Sequence, residues 1–309
     1  MRRLDALMQL FAPLYYKEFK CIADKCKHSC CIGWEIDIDS DTLSRYGTGE
    51  ADYCEAIRRS IEYGDTPHFA LSADRCVHLD SDGLCKIIKN LGEGWLSDIC
   101  REHPRFYNRT CMGLEVGLGL SCEEACRIIL TCDGYSEIAA IGEVCDTARG
   151  IDYDAVAERA RLYAILSDRT VPYGARLEEL YSMYGDPRRI IPDGTCRDIL
   201  SSLEYLDEKN RKRFSVYSSA SEVKKEHEEL LERFVAYLVY RHASGKRSRE
   251  EFLAAVVFAF TLERLYASVL SCEGAAVEDA FDVARVISEE IEYSEDNTDV
   301  IMSEIEFEM

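Results

Sequence analysis

The fifteen cysteines are unevenly spread: thirteen lie at or before Cys145, and only Cys196 and Cys272 follow. Cys21, Cys26, Cys30 and Cys31 fall within eleven residues. A chain of 309 residues has room for about two domains at ~150 residues each, so its core does not need cysteines as staples. Thiols so crowded therefore point to metal or redox chemistry, in a compartment that keeps them reduced. The N-terminus agrees with such a compartment. Asp5 and Gln9 break any signal-peptide core behind Met1-Arg2-Arg3, and no small-residue cleavage site follows. The expected location is cytoplasmic.

With 47% hydrophobic and 31% charged residues the chain reads as folded rather than disordered. Its net charge of −21, from 37 basic against 58 acidic side chains, argues against nucleic acid as a partner, since that binding depends on neutralising phosphates. A cationic partner suits it better. No membrane span is expected: the most apolar run, Phe252 to Leu262, stops after eleven residues at Glu263 and Arg264, whereas a span needs ~20. The oligomeric state is not legible.

The uneven cysteines divide the chain into a Cys-rich part, 1–148, and a Cys-poor, helical part, 149–309. In the first, Glu35 to Asp39 alternates, and Ala51 to Tyr63 reads as a helix with Ala51, Cys54, Ile57 and Ile61 on one face. Cys76 to Leu79 and Leu84 to Ile87 read as a hairpin around an Asp82-Gly83 turn. Leu114 to Leu120 alternates as a strand, and Glu123 to Thr131 follows as a helix capped by Ser121 with Glu124 closing a capping box. In the second part Tyr153–Leu166, Ala175–Tyr184, Ser221–His242, Arg249–Leu270 and Ala275–Tyr293 are helical. Phe252 to Leu262 should be the buried centre of a bundle. From Glu273 onward thirteen acids face one basic residue, Arg285, which reads as a solvated face and a frayed tail. The expected fold class is mainly α, with a Cys-rich metal-binding domain carrying short strands and a C-terminal helical bundle.

The chemistry gathers around the cysteines. Cys76 and Cys85 flank the proposed hairpin, Cys100 ends a short helix, and Cys122 stands at a strand-to-helix turn. Thiolate suits zinc, iron and iron–sulfur clusters, and close spacing brings several sulfurs to one ion at little loop-closure cost. Adjacent Cys30 and Cys31 do not easily share one tetrahedral ion, so either two metals or one ligand and one neighbouring thiol fit better. Cys54, Cys145, Cys196 and Cys272 read instead as small buried apolar residues. Cys111, Cys126 and Cys132 stay undecided.

Phe19-Lys20-Cys21, Cys26 and Cys30-Cys31-Ile32-Gly33-Trp34-Glu35-Ile36 together resemble the opening motif of the flagellin lysine-N-methylase family. The resemblance runs on through Cys76-Val77-His78-Leu79, Gly83-Leu84-Cys85-Lys86-Ile87, Leu91-Gly92-Glu93, Cys100 with Pro104-Arg105, and Leu120 to Ala125. It covers roughly residues 13 to 131, with a looser kinship to small Cys-cluster proteins described as zinc- or iron-chelating. The resemblance implies S-adenosylmethionine-dependent methylation of lysine ε-amines on a protein substrate, flagellin, with a 4Fe-4S iron–sulfur cluster, or alternatively zinc. Its implied ligands are Cys21, Cys26, Cys30, Cys31, Cys76, Cys85, Cys100 and Cys122. Eight thiolates exceed the four that one cluster takes, and the four are not assigned.

Lysine methylation needs a neutral amine in line with a sulfonium methyl. Deprotonating a lysine of reference pKa ~10.4 calls for desolvation and a base. His103, Tyr107, Tyr15 and Tyr16 adjoin the motif and are the candidate catalytic residues. Arg105 is the candidate for clasping the cofactor's carboxylate, which a guanidinium matches in a bidentate pair. Two other motifs do not hold. Gly117-Leu118-Gly119-Leu120-Ser121-Cys122 imitates a dinucleotide-type glycine turn but lacks the third glycine and a βα series. The Cys-x3-Cys-x2-Cys triplet of radical enzymes fails at Gly33 and at Ile129. Besides the methyltransferase, two other classes stay open: an iron–sulfur redox or metal-sensing protein, and a structural zinc module on a helical interaction domain.

Overall fold

The computed structural model describes residues 7–145 and 151–308. Helices dominate, with short strands in the N-terminal half. Contacts divide the chain into two compact units: one of 1–19, 106–121 and 125–309, the other of 20–105 and 122–124. Each contains part of the expected segment 1–148, and the boundary at 148 lies outside the described residues. The second unit is thus an insertion in the sequence of the first.

The larger unit is organised around one helix. Its elements are β1 (Leu7–Pro13), β6 (Arg105–Thr110), β7 (Gly113–Leu118), α5 (Glu123–Thr131), β8 (Ile138–Cys145), α6 (Ala155–Leu166), α7 (Tyr173–Tyr184), α8 (Pro187–Ile190), α9 (Asp193–Ser202), α10 (Glu208–Phe214), α11 (Glu228–His242), α12 (Arg249–Glu273), α13 (Val277–Ile287) and α14 (Glu295–Glu308). Ser248 caps α12 by accepting from Glu251 N, and Gly274, left-handed at φ 61°, closes its other end. Every residue from Ala254 to Leu270 is buried. By length and composition α12 could cross a membrane, which corrects the eleven-residue limit read from the sequence. Of its most apolar window 94% is buried inside the protein, so it is the helix the others cover.

Two charges inside α12 need internal partners. Arg264 donates to the carbonyls of Ser218, Ser219 and Ser221. Glu263 has less: Tyr173 Oη donates to Oε1 at 3.1 Å, while Oε2 has no partner. Burial pushes the Glu263 carboxyl up to about 7. Two further ion pairs tie the unit together. Arg159 holds Glu115 through two bonds of 2.6 and 2.8 Å beneath the Tyr240 ring, and Arg176 meets Glu232 at 2.7 Å.

The sheet order is β6-β7-β1-β8. β1 runs parallel to β7, with Leu10 opposite Leu114, and antiparallel to β8 with a bulge at Leu10/Phe11. The strand expected over 114–120 is β7. Its glycines admit rings rather than phosphates: a Cβ on Gly117 would lie 2.3 Å from the Phe106 ring, and one on Gly119 1.9 Å from Tyr293 Oη. Helix α5 has its expected bounds but no capping box, because Ser121 Oγ is buried without a partner. The acidic C-terminus is not frayed. Helix α14 packs on α12 and buries Ile301 and Ile305, and Glu290 accepts from Leu206 N, Asp207 N and Asn210 Nδ2.

The smaller unit contains α1 (Ser40–Thr48), α2 (Asp52–Arg59), β2 (Ile61–Tyr63), β3 (Pro67–Phe69), β4 (Leu71–Ser72), β5 (Arg75–Cys76), α3 (Lys86–Leu91) and α4 (Asp98–Glu102). The helix expected to reach Tyr63 ends at Arg59, and Ile61 instead pairs with Phe69 in a β2–β3 ladder. The alternating 35–39 segment buries Ile36 and Ile38 but makes only the isolated Asp37–His68 bridge. Tyr46, Ile57, Phe69 and Ile87 complete a small core with them.

Two stability outcomes follow. Between about pH 4.5 and 7 the unfolded chain has released the Glu263 proton while the folded chain retains it, so stability falls as pH rises through that window. Glu263→Gln abolishes this slope and gains about 3 kcal/mol at pH 8, read from denaturant midpoints at about pH 5 and 8. Gly119→Ala must displace Tyr293 and costs about 1–3 kcal/mol in the same assay.

Candidate functional site

The inserted unit brings four of the eight candidate thiols onto one apolar surface. Cys31 and Cys76 are joined through the backbone, Cys76 N donating to Cys31 O at 2.9 Å. The segment expected as a hairpin supplies the third. Asp80 N donates to Leu84 O, Gly83 N to Asp80 O, and Leu79 bridges Cys85. The returning arm then turns helical, so Cys85 stands at the N-cap of α3 rather than within a strand. Cys100 comes from α4. Cys76 belongs to the small core, and Cys31, Cys85 and Cys100 pack against it.

These thiols sense one another. Burial pushes Cys100 up to about 12, and Cys31, Cys76 and Cys85 raise it further by the charge they would carry. Burial likewise pushes Cys76 up to about 11, with Cys31 and Cys85 adding to it, and raises Cys85 with Cys31 as the charged neighbour. Cys31 is the exception, drawn down to about 7 by a hydrogen bond from the Cys30 thiol, by Ser29 and by Arg75. Cys30 is correspondingly raised.

The remaining candidates stand differently. Cys26 Sγ faces His28 O at 3.2 Å and Glu123 Oε2 at 3.7 Å. Burial and the nearby Glu123 and Cys122 push it up to about 11. Glu123 also accepts from Lys27 N at 2.7 Å, a link that periodicity alone does not reveal. Cys21 is exposed and accepts from Ala23 N. Among the described residues no group of three or more His, Cys, Asp or Glu side chains closes to metal-binding range, so the donor set is assembled in kind but not drawn in around an ion. Of the cysteines expected to be buried, Cys54 and Cys196 are. Cys145 and Cys272 are exposed, which corrects that expectation.

His78 lies in the same core with both ring nitrogens engaged. Ser60 Oγ donates to Ile57 O, so Nε2–H donates to Ser60 at 2.8 Å while Nδ1 accepts from Tyr53 Oη at 3.0 Å. Burial, aided by Lys86, holds its pKa down at about 4. It is a neutral strut rather than a ligand.

The candidate catalytic residues are divided between the two units. His103 follows α4 and Arg105 opens β6, where Arg105 Nη1 donates to Arg101 O at 3.3 Å. Tyr15, Tyr16 and Tyr107 belong to the larger unit. Tyr15 is buried, and burial pushes its phenol far above the usual range, which makes it a poor proton acceptor. Tyr107 is half exposed.

Two curated lysine-N-methylases, from Salmonella typhimurium and Salmonella choleraesuis, are each 27% identical to this chain over 126 residues. The match covers 38% of this chain and 31% of theirs, so the chain spans about a third of their length. The flagellar biosynthetic protein FliU of Salmonella muenchen is 26% identical over 161 residues, 50% of this chain and 94% of that protein. No family model and no solved structure matches.

Ser60→Ala leaves the buried His78 Nε2–H without an acceptor and costs about 1–3 kcal/mol, whereas Cys272→Ser on the surface shifts the melting midpoint negligibly. Paired thermal melts check both.

Proposed function

We propose that this chain is a protein-lysine N-methyltransferase that uses S-adenosylmethionine, acts on flagellin, and carries a thiolate-bound metal centre in its inserted unit. The observation that carries the reading is the likeness to two lysine-N-methylases and to a flagellar biosynthetic protein. The cytoplasm is the location this reading requires, because its thiols must stay reduced.

Cys31, Cys76, Cys85 and Cys100 are the ligands we assign to the centre. Burial alone holds neutral thiols, but four thiolates facing one another need a compensating charge that Arg75 cannot supply. A thiophilic cation or an iron–sulfur cluster provides that charge. Cys31, Cys76, Cys85 and Cys100 would hold the centre and so be tied together by it, and an iron–sulfur cluster there would supply a redox-capable, charge-delocalising group. Cys30 then acts as a thiol donor to Cys31. Cys21, Cys26 and Cys122 lie outside the four.

The chain's own residues have a modest task in methyl transfer: binding the two reactants, excluding water and taking up a proton. The net charge of −21 draws a lysine-bearing protein towards the surface in a salt-dependent way.

Unmodified flagellin incubated with the chain and S-adenosylmethionine should gain whole methyl increments on lysine, read by peptide mass spectrometry. Flagellin left unmodified by the full chain would overturn the reading. Cys76→Ser and Cys100→Ser should each lose most of the bound metal while Cys272→Ser keeps it. Full metal retention in the first two would remove them from the ligand set.

A further inference from the structure

In the inserted unit, Ser97 stands immediately before α4, a position from which a serine ordinarily turns its hydroxyl onto a backbone N–H of the helix. Its side chain makes no such bond. The Asp98 N–H is taken instead by Asp39 Oδ2 at 2.9 Å, while Asp39 Oδ1 caps α1 through Thr42 N at 2.8 Å. Ser97 is fully buried, and among the described residues its Oγ has no hydrogen-bond partner. A hydroxyl withdrawn from water without a partner destabilises the fold. Alanine, which lacks only that oxygen, would avoid the penalty.

What the hydroxyl faces is a sulfur. From the residue before a helix, a side chain reaches the third helical position, and in α4 that position is Cys100. The Ser97 hydroxyl acts on it accordingly, favouring the Cys100 thiolate against the burial that opposes it. No hydrogen bond of ordinary geometry forms while the sulfur carries its own proton, because a thiol is a weak acceptor. A sulfur bound to a metal has lost that proton and accepts a charge-assisted bond. Cys31 has a neighbour of the same kind in Ser29, whose Oγ accepts from Cys31 N at 3.3 Å and which favours the Cys31 thiolate. Ser29 is only half-buried, so water can serve its hydroxyl. Ser97 has no such alternative.

We propose that Ser97 is a positioning residue of the thiolate centre, its hydroxyl donating to the Cys100 sulfur once that sulfur holds a metal. The assignment rests on the reading of Cys31, Cys76, Cys85 and Cys100 as the ligands, and it does not depend on methyl transfer. The hydroxyl turns about its own C–O bond and keeps its proton. Its bond draws electron density from the sulfur and fixes the direction of the ligand, which strengthens the hold on the ion. Where the centre is an iron–sulfur cluster, the same bond favours the more negative, reduced state and raises the reduction potential. Ser97 therefore acts in opposite directions, destabilising the metal-free chain and stabilising the loaded one.

Ser97→Ala in the full chain separates the two effects without any activity. With the metal removed, the variant should melt no lower than wild type, since only an unpartnered oxygen is lost. Loaded without oxygen and challenged with a chelator, bathophenanthroline for iron or pyridylazoresorcinol for zinc, it should hold its metal about 10- to 100-fold less tightly. Ser97→Thr, which keeps the hydroxyl, should restore wild-type retention. A brown chain should also show a lower reduction potential in Ser97→Ala than in wild type. Metal retention in Ser97→Ala equal to that of wild type overturns the proposal while leaving the four ligands in place. A lower melt of the metal-free variant also overturns it, because the hydroxyl would then be part of the fold. A wild-type chain that holds neither iron nor zinc overturns the ligand assignment itself, and the role of Ser97 with it.

Discussion

The larger unit is built to cover α12. Seventeen consecutive residues, Ala254 to Leu270, are withdrawn from water, and no single neighbouring helix can do that, since one helix shields only one stripe of another. Helices α7, α8, α10, α11, α13 and α14 all pack on it. The cost appears where α12 carries charge. Arg264 Nη2 reaches three carbonyls but its Nε is left bare, and Glu263 keeps one bare oxygen and a raised carboxyl. Coverage also explains the acidic C-terminus, which is ordered because Ile301 and Ile305 are needed against the core. Its acids are placed outward or, at Glu290 and Glu292, given inward partners.

The inserted unit obeys a different constraint. Its core is small, so short elements rather than long helices carry Cys31, Cys76, Cys85 and Cys100 to the same apolar surface. Burial first, and then the charge each would place on the next, keeps Cys76, Cys85 and Cys100 protonated. In the proposed account a metal centre supplies the missing positive charge and the missing cross-links together, which is how small units with little core gain stability. His78, locked between Tyr53 and Ser60, is internally satisfied, whereas the buried Ser97 Oγ of the same unit has no partner.

Much of this was legible in the residue order. The run from Phe252 to Leu262, apolar nearly all round, announces a buried helix, and Leu114, Val116 and Leu118 alternate as β7 requires. Crowded cysteines mark the region that holds the inserted unit, although nothing in their spacing signals that 106–121 belongs to the other unit. The helical reading of Ala51 to Tyr63 fails beyond Arg59 because Ile57 and Ile61 keep helical spacing, while Ser60 terminates the helix and Ile61 finds a strand partner in Phe69. Ser121 is well spaced for a cap, but tertiary packing buries its hydroxyl. The Glu292–His242 pair joins residues fifty positions apart through a π-turn, and no local pattern signals it. The gathering of four of the eight thiols on one small core is equally non-local, set by the bridges that fold Cys76 onto Cys31 and return Cys85 beside Leu79.

The chemistry proposed for this chain turns on the metal centre proposed for its inserted unit. The most direct measurement is the iron, acid-labile sulfide and zinc content of the chain purified without oxygen, taken with its visible spectrum. The account predicts stoichiometric metal, with a brown colour and near-equal iron and sulfide when the centre is an iron–sulfur cluster. A folded chain that holds neither iron nor zinc would contradict it.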